Sequence, residues 1–144
     1  MRTYMNYSKT IIALAAFATV AATAQADDIK IVANQSVGAA SISPDEIKGV
    51  FLATKTSLSD GSHVEPVLEK SGATHEGFLK AYLGKSESAL ETYYRSLVFT
   101  GKASMPKTVG ADADVVAWVA KTKGAVGYVG AASPTDGVKV LEVK

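Results

Sequence analysis

The stretch DIKIVAN at residues 28–34, followed by SPDEIKGVFL at residues 43–52, predicts a β-strand and then an amphipathic helix. In the first stretch apolar side chains alternate with polar ones, which is typical of a half-buried strand. In the second stretch Ser43 is a favoured N-cap, Pro44 suits the first helical position, and Glu46 completes a capping box. A strand followed directly by a helix is a building unit of α/β domains.

The same alternation continues along the chain. A strand is predicted at 63–68, where Pro66 indicates an edge strand or a break because proline has no N–H to donate. The later elements are a helix that ends at Gly84, a long helix capped by Ser86 or Ser88, a helix over 112–122, and strands over 125–129 and 138–143. Strands that alternate with helices predict an α/β domain, here with a small mixed sheet flanked by helices.

The amino-terminal segment, residues 1–26, has the pattern of a secretory signal peptide. Arg2 and Lys9 give it a positive start, an uncharged apolar stretch follows, and Ala-Gln-Ala at 24–26 is a typical cleavage site. A permanent membrane anchor is the alternative, but the apolar stretch is shorter than the ~20 residues that span a bilayer. We therefore expect cleavage to leave one domain, residues 27–144, in the periplasm or outside the cell, without stable membrane insertion.

The composition limits the classes of function. The chain has no cysteine, so disulfides and a lipid-bearing cysteine after the signal are excluded. Removal of Arg2 and Lys9 with the signal lowers the 15 basic residues to 13, against 14 acidic ones. This balance argues against a nucleic-acid-binding protein and against a protein held on anionic lipid by its charge.

The sequence contains no convincing enzyme motif. Gly84-Lys85-Ser86 resembles the end of a phosphate-binding P-loop, but the first glycine of that motif would fall at Leu79. No nucleophile elbow of the G-x-S-x-G type occurs. The glycines at 124, 127 and 130 do not match the dinucleotide pattern, and we interpret them as places where a strand lies close against a helix. We expect a protein that is not an enzyme.

Histidine and aromatic side chains also have structural interpretations. His63 and His75 could join nearby carboxylates in a metal site, but no spacing with several metal ligands occurs. We therefore expect both histidines on the surface and predict neither a metal nor another cofactor. Trp118, Tyr93 and Tyr94 lie at helical spacing among aliphatic residues, which favours core packing with the tyrosine hydroxyls bonded to polar partners.

One loop has the chemistry of an anion-binding site. Ser71-Gly72-Ala73-Thr74 directly precedes a predicted helix, where free backbone N–H groups and the positive end of the helix dipole attract anions. Ser71 and Thr74 add hydroxyl donors, and Lys70 adds a positive charge. The alternative is plain capping of the helix by Ser71 or Thr74, which the residue pattern alone favours.

Five segments occur in a specific order: IVAN at 31–34, SPDEIKGVFL at 43–52, DGS at 60–62, VEPV at 64–67 and GAVGYV at 124–129. In this order they resemble one lobe of the phosphate-binding proteins of phosphate ABC transporters. The chain is more closely similar to short, single-domain exported proteins of that type, over about residues 28–143. The resemblance implies a single lobe of the type II periplasmic binding protein fold, which in full-length members closes with a second lobe over phosphate.

The family also has a phosphate loop, Arg-x-Asp-Gly-Ser-Gly-Thr, at a helix N-terminus. The resemblance places Ser71, Gly72 and Thr74 in this loop, whereas Leu68 and Glu69 stand where the arginine and aspartate would be. Three or four charge-assisted hydrogen bonds of about 1.5–3 kcal/mol each are offset by ~4 kcal/mol or more of lost translational freedom. One such lobe is therefore expected to bind phosphate in the millimolar range at best, and tighter binding needs a second lobe from a homodimer or a partner protein.

We therefore expect an exported solute-binding-like protein that holds phosphate or a related oxyanion weakly and is associated with phosphate uptake. The loop after the first strand is expected to line the same cleft, since ligands in α/β sheets lie beyond the carboxyl ends of strands. The alternative is an accessory protein that has lost the ligand and docks to a transporter or another envelope assembly. The predicted anion-binding residues are Asn34, Ser36, Lys70, Ser71, Gly72 and Thr74.

Overall fold

The computed structural model describes residues 29–144, and the predicted signal peptide lies outside them. Six strands form one sheet: β1 Ile29–Ala33, β2 Ser41–Ile42, β3 Glu65–Glu69, β4 Lys107–Val109, β5 Ala125–Gly130 and β6 Lys139–Val143. Their order across the sheet is β2–β6–β1–β5–β3–β4. β1 is antiparallel to β5 and β6, whereas β3 is parallel to both β4 and β5. The predicted small mixed sheet is confirmed.

Four helices cover the sheet: α1 Pro44–Phe51, α2 Ala73–Phe78, α3 Glu87–Phe99 and α4 Asp112–Lys121. A π-helical turn, Leu79–Leu83, continues α2 until Gly84 ends it in the left-handed conformation. The predicted capping box of α1 is present, with Ser43 and Glu46 each bonded to the backbone of the other. Ser86, and not Ser88, caps α3 by accepting from Ala89. No helix within residues 29–144 is long and apolar enough to span a bilayer.

The strands bury both faces of the sheet because successive side chains point to opposite sides. Ile31 belongs to a large cluster with Phe51, Phe78 and Tyr128, beneath α1, α2 and α3. The rings of Phe78 and Tyr128 stack with centroids 3.8 Å apart. Val32 belongs to a second cluster on the other face, which α4 covers. Helices therefore flank the sheet on both sides, as the sequence predicts.

The close approach of α4 to β5 depends on Gly127. A Cβ atom at this position would lie 2.5 Å from Cγ1 of Val115 and 3.4 Å from Cγ2 of Val119. The interpretation of this glycine as a contact between strand and helix is confirmed. Because α4 begins at Asp112 and carries Trp118, its distance from the sheet sets the position of both residues.

The structure differs from the prediction at the lower-numbered end of β3 and in two short strands. β3 lies between β5 and β4, so it is not an edge strand, but its pairing with β4 begins only after Pro66, which agrees with the predicted alternative of a break. Pro66 is tolerated because no neighbouring strand needs an N–H at its position. The N–H of Glu65 points to β5 and donates to the carbonyl of Gly124. The nitrogen of Pro66 therefore faces the other side, where β4 pairs only from Val67 onwards. β2 and β4 were not predicted, since two or three residues are too few to show a period.

Candidate functional site

A cleft of about 610 Å³ opens where the carboxyl ends of the parallel strands β3, β4 and β5 meet the first turns of α2 and α4. The predicted loop contributes Ser71, Gly72 and Thr74 to its lining, and Glu69 and Asp112 are also among the lining residues. This is the edge of an α/β sheet where ligands most often bind, because strand ends and helix N-termini converge there.

The start of α2 is not capped by a side chain. The N-cap residue is Gly72, with φ 112°, and no capping hydrogen bond from a side chain is present at this helix start within residues 29–144. Glycine suits this position because a residue with a Cβ atom rarely adopts such a φ value. The interpretation of the loop as plain capping by Ser71 or Thr74 is therefore wrong. The free N–H groups lie beside the cleft and are available to an acceptor.

The second helix start at the cleft belongs to α4, whose N-cap Ala111 also makes no side-chain hydrogen bond. The carboxylate of Asp112, the first residue of α4, accepts a hydrogen bond from the backbone N–H of Gly130 at 2.9 Å and another from the hydroxyl of Ser133. Thr74 donates to the same carboxylate. Asp112 therefore links the start of α4 to the end of β5 and to the loop before α2.

Glu69 is the buried acid of the cleft. It ends β3 and is 3% exposed, and its Oε1 atom has no hydrogen-bond partner among residues 29–144. Burial, followed by the hydrogen bond and negative charge of Asp112, raises the pKa of Glu69 to about 8. At neutral pH Glu69 therefore holds a proton, which it shares with Asp112 in a hydrogen bond.

Asp112 has the opposite protonation behaviour. Its burial favours the neutral form, but hydrogen bonds from Glu69, Ser133, the backbone of Gly130 and Thr74 outweigh burial and lower its pKa. The pair thus carries one proton and one negative charge at neutral pH, the usual result when two carboxyl groups share a buried site. The arrangement offers acceptors to a ligand that brings its own proton.

The cleft has an acidic lining. Glu69, Asp112 and Asp136 line it, and no lysine, arginine or histidine of the described chain does so. Lys70, predicted to add a positive charge, is exposed and is not part of the lining, and its backbone N–H bonds the carbonyl of Val109.

Asn34 and Ser36 lie at the other end of the sheet. The side-chain amide of Asn34 donates to the carbonyl of Val119 at 2.7 Å, and the hydroxyl of Ser36 accepts from the N–H of Gly124 at 3.1 Å. Because β1 runs antiparallel to β5, the end of β1 lies beside the start of β5, whereas the cleft lies at the end of β5. The expectation that these two residues line the same cleft is wrong.

His75, in the first turn of α2, connects this helix to neighbouring elements through hydrogen bonds. It is 2% exposed, so the prediction of a surface position is wrong for His75, while His63 is exposed as expected. Its Nδ1 bonds the hydroxyl of Tyr128 and its Nε2 bonds the carboxylate of Glu87. The same Tyr128 hydroxyl accepts from the N–H of Glu69 at 2.9 Å. α2 is thereby tied to β5, to α3 and to the end of β3.

The protonation of this network follows from its partners. Burial raises the pKa of Tyr128, so its hydroxyl keeps its proton and donates to Nδ1 of His75. The remaining N–H, on Nε2, then donates to Glu87, which assigns the tautomer from the bonding pattern. No group of three metal-ligating side chains occurs in the part of the chain that the structure describes.

The sequence did not identify the acidic pair. Glu69 was noted only as standing in place of a family residue, and Asp112 only as the start of a predicted helix. The signal for Glu69 is its position at the end of an apolar strand directly before the candidate loop. The aromatic prediction is confirmed for the two tyrosines: Tyr94 is buried with its hydroxyl bonded to Phe51, and the hydroxyl of Tyr93 donates to Leu52 at 2.6 Å. Core packing is wrong for Trp118, which is half-buried and packs against the outside of the second cluster.

No protein-family model matches the sequence. No curated protein matches it either. Solved structures do match the fold, and each is aligned over 81% of this chain.

One is an ABC-type phosphate transport receptor of Vibrio cholerae, 16% identical, of which 46% is covered, with a TM-score of 0.53. A second is a phosphate ABC transporter substrate-binding protein of Clostridium perfringens with bound phosphate, 14% identical, 44% covered, with a TM-score of 0.62. A third is PstS of Borrelia burgdorferi, 10% identical, 47% covered, with a TM-score of 0.61. The chain spans less than half the length of these proteins. Its fold is that of one lobe of a phosphate-binding protein of the type II periplasmic binding protein class, as the order of sequence segments predicts.

Proposed function

We propose that this chain is an exported binding protein, not an enzyme, whose cleft holds phosphate or a related protonated oxyanion weakly. The observation that carries the proposal is the convergence of two uncapped helix starts, those of α2 and α4, on one cleft. The fold likeness to phosphate-binding proteins supports the same ligand.

The chemistry of the cleft favours an anion that still carries a proton. The backbone N–H groups before and within the first turn of α2, with the hydroxyl of Ser71, can donate to oxyanion oxygens. The carboxylate of Asp112 can accept a hydrogen bond from the P–OH group of phosphate. Sulfate has no such proton at neutral pH and would place bare oxygens against a carboxylate. Phosphate is therefore expected to bind better than sulfate.

The affinity is expected to be low. The lining contains no basic side chain in the described chain, and one carboxylate of the acidic pair remains ionised. A few hydrogen bonds of about 1.5–3 kcal/mol each must offset ~4 kcal/mol or more of lost freedom, so a dissociation constant in the millimolar range follows. Tighter binding in the cell requires a second lobe, contributed by another copy of this chain or by a component of a phosphate transporter.

The test is a calorimetric titration of residues 27–144 with phosphate and with sulfate, while light scattering follows the oligomeric state. We expect millimolar phosphate binding and weaker sulfate binding. Asp112→Asn should narrow the difference in affinity between phosphate and sulfate, since the amide can donate a hydrogen bond to sulfate and carries no charge that repels it. Equal binding of the two anions to the unaltered chain, or no heat from phosphate at tens of millimolar, would contradict the proposal.

An accessory role without a ligand is the second candidate. One observation favours it: Phe99, at the end of α3, is 92% exposed, and Met105 in the following loop is 57% exposed. Exposed aromatic and methionine side chains are typical of protein contact surfaces. A cleft that binds neither anion, with binding of a purified phosphate-transporter component that Phe99→Ser abolishes, would favour this second role.

A further inference from the structure

A second concave region lies towards the amino ends of β3 and β4, at the opposite end of these strands from the cleft. It is a groove of about 420 Å³ between residues 53–56 and 63–67 on one side and residues 102–107 on the other, with Trp118 of α4 in its wall. This volume lies within the range of 300–1,000 Å³ that is usual for small-molecule sites. We refer to this region as the Trp118 groove.

The interior of the Trp118 groove is apolar. Its accessible apolar surface comes from Ala53, Pro66, Met105, Pro106 and Trp118, which are half-buried or exposed, above the buried side chains of Val50, Val64, Val67 and Tyr94. Met105 forms part of the rim and is 57% exposed, an unusual position for a large apolar side chain. An apolar surface of this kind, open on one side, suits the hydrocarbon part of a ligand.

The rim of the Trp118 groove is basic. Lys55, Lys102 and Lys107 line it and are exposed, together with the exposed His63, whereas Glu65 is the acidic residue of the lining. None of the three lysines forms an ion pair with a carboxylate in the described part of the chain. Lys102 and Lys107 therefore produce a local positive potential on a chain whose net charge is close to zero, and Lys55 adds to it although its charge also acts on Glu46.

Trp118 adds to the concentration of positive charge. The ammonium group of Lys107 lies 4.4 Å from the centroid of the indole ring, and that of Lys121 lies 5.2 Å from it. Such cation–π contacts hold lysine side chains close to one another without neutralising them. The ammonium group of Lys107 is thus held at the rim, where it can contact an anionic group above the apolar interior.

We propose that the Trp118 groove binds a small amphipathic anion, that is, a carboxylate or similar group on an apolar body of about six to ten carbon atoms. The apolar interior takes the body and the lysines take the anionic head. Charge complementarity excludes amines of the same shape. The site is separate from the cleft that holds the proposed oxyanion, so phosphate and the amphipathic anion bind independently.

Octanoate is a suitable probe, with octylamine and acetate as controls for charge and for apolar contact. The chain has a single tryptophan, so indole emission reports on this groove alone. We expect octanoate to shift the emission with a dissociation constant of about 1 mM, as its size allows. Octylamine and acetate should bind at least about tenfold more weakly, and salt should weaken octanoate binding.

A pair of variants tests the role of the lysines. Lys102→Gln with Lys107→Gln should weaken octanoate binding about fivefold, measured by calorimetry because loss of the Lys107 contact alters the emission itself. Lys48→Gln with Lys80→Gln removes the same charge from exposed positions outside the groove and should leave octanoate binding unchanged. Equal binding of octanoate and octylamine, competition between octanoate and phosphate, or an equal loss in both double variants would overturn the proposal.

Discussion

The cleft and the Trp118 groove lie at opposite ends of the same parallel strands and differ in charge. The cleft is lined by Glu69, Asp112 and Asp136 without a basic side chain in the described chain, whereas three exposed lysines line the groove. In the cleft the groups suited to an anion are backbone N–H groups and hydroxyls, and in the groove they are ammonium groups. Hydrogen-bond donors and net charge are thus separated in this fold, and the region with the more positive potential is not the region proposed to bind a protonated oxyanion.

The substitution expected to change the protein most acts on both regions, because it displaces α4. Gly127→Ala places a methyl group 2.5 Å from Val115, so α4 must move away from β5. We expect the free energy of unfolding to fall by about 1–3 kcal/mol, with weaker binding of both phosphate and octanoate. Urea denaturation and the two titrations measure these changes.

Gly77→Ala is the matched control for this prediction. A Cβ at Gly77 meets Ile29 at 3.4 Å, and the residue is inside a helix, where alanine is favoured over glycine. Its free energy of unfolding should stay the same or rise. If Gly127→Ala unfolds at the same urea concentration as the unaltered chain, α4 is not held as closely as described.

A second variant separates the two regions. Tyr128→Phe removes the hydroxyl that bonds His75 and the backbone N–H of Glu69, so two buried groups lose their partner. The free energy of unfolding should fall by about 1–3 kcal/mol, and phosphate binding should weaken while octanoate binding is retained. Urea denaturation and both titrations test this. Parallel loss of the two ligands would show that the network does not act on the cleft alone.

The acidic pair predicts a pH dependence of stability. The pKa of Glu69 is raised in the folded state to about 8 from its usual 4.5, so the folded chain binds more protons than the unfolded chain between these values. The contribution of Glu69 to the free energy of unfolding should therefore be greatest below about pH 4.5. It should fall as the pH rises towards 8, by at most about 1.4 kcal/mol per pH unit.

Glu69→Gln should remove this fall, because the amide does not titrate and can still donate to Asp112. The lowered pKa of Asp112 has the opposite sign and acts only at lower pH, as its carboxylate becomes protonated. Thermal unfolding of both chains between about pH 5 and pH 9 makes the comparison. Identical pH profiles would mean that Glu69 is ionised in the folded protein.

The smallest expected effect concerns one hydroxyl. Thr74→Ala removes a donor to Asp112 at the cleft, and phosphate binding should weaken about threefold. Thr92→Ala removes a threonine hydroxyl from an exposed position on α3 and is the matched control, with no change expected. Calorimetry with phosphate measures both. An equal effect of the two substitutions would place the anion elsewhere.

Much of the fold follows from local pattern. The capping box at Ser43 and Glu46, the amphipathic helices and the glycine that admits α4 to β5 are all local features. The loop at residues 71–74 was also predicted locally, because a helix start has a residue signature. The position of Asn34 could not be predicted in this way, since it depends on the antiparallel pairing of β1 with β5, which no local pattern encodes.

The acidic character of the cleft also could not be predicted from the sequence. The burial of Glu69 depends on its place at the end of β3 and on contacts with β4 and Tyr128, which are distant in sequence. Its proton sharing with Asp112 joins residues of two separate elements. Buried pairs of this kind arise from tertiary packing and not from spacing.

The proposed oxyanion site is tested most directly by a phosphate titration followed by amide chemical shifts at about pH 6 and about pH 9, on either side of the pKa of Glu69. At the lower pH we expect millimolar binding, with shifts at Ser71, Gly72 and Thr74. At the higher pH we expect loss of binding, because both carboxyl groups are then ionised. Sulfate should cause smaller shifts at either pH. Phosphate shifts at Lys102 and Lys107 instead, or binding that strengthens at the higher pH, would contradict it.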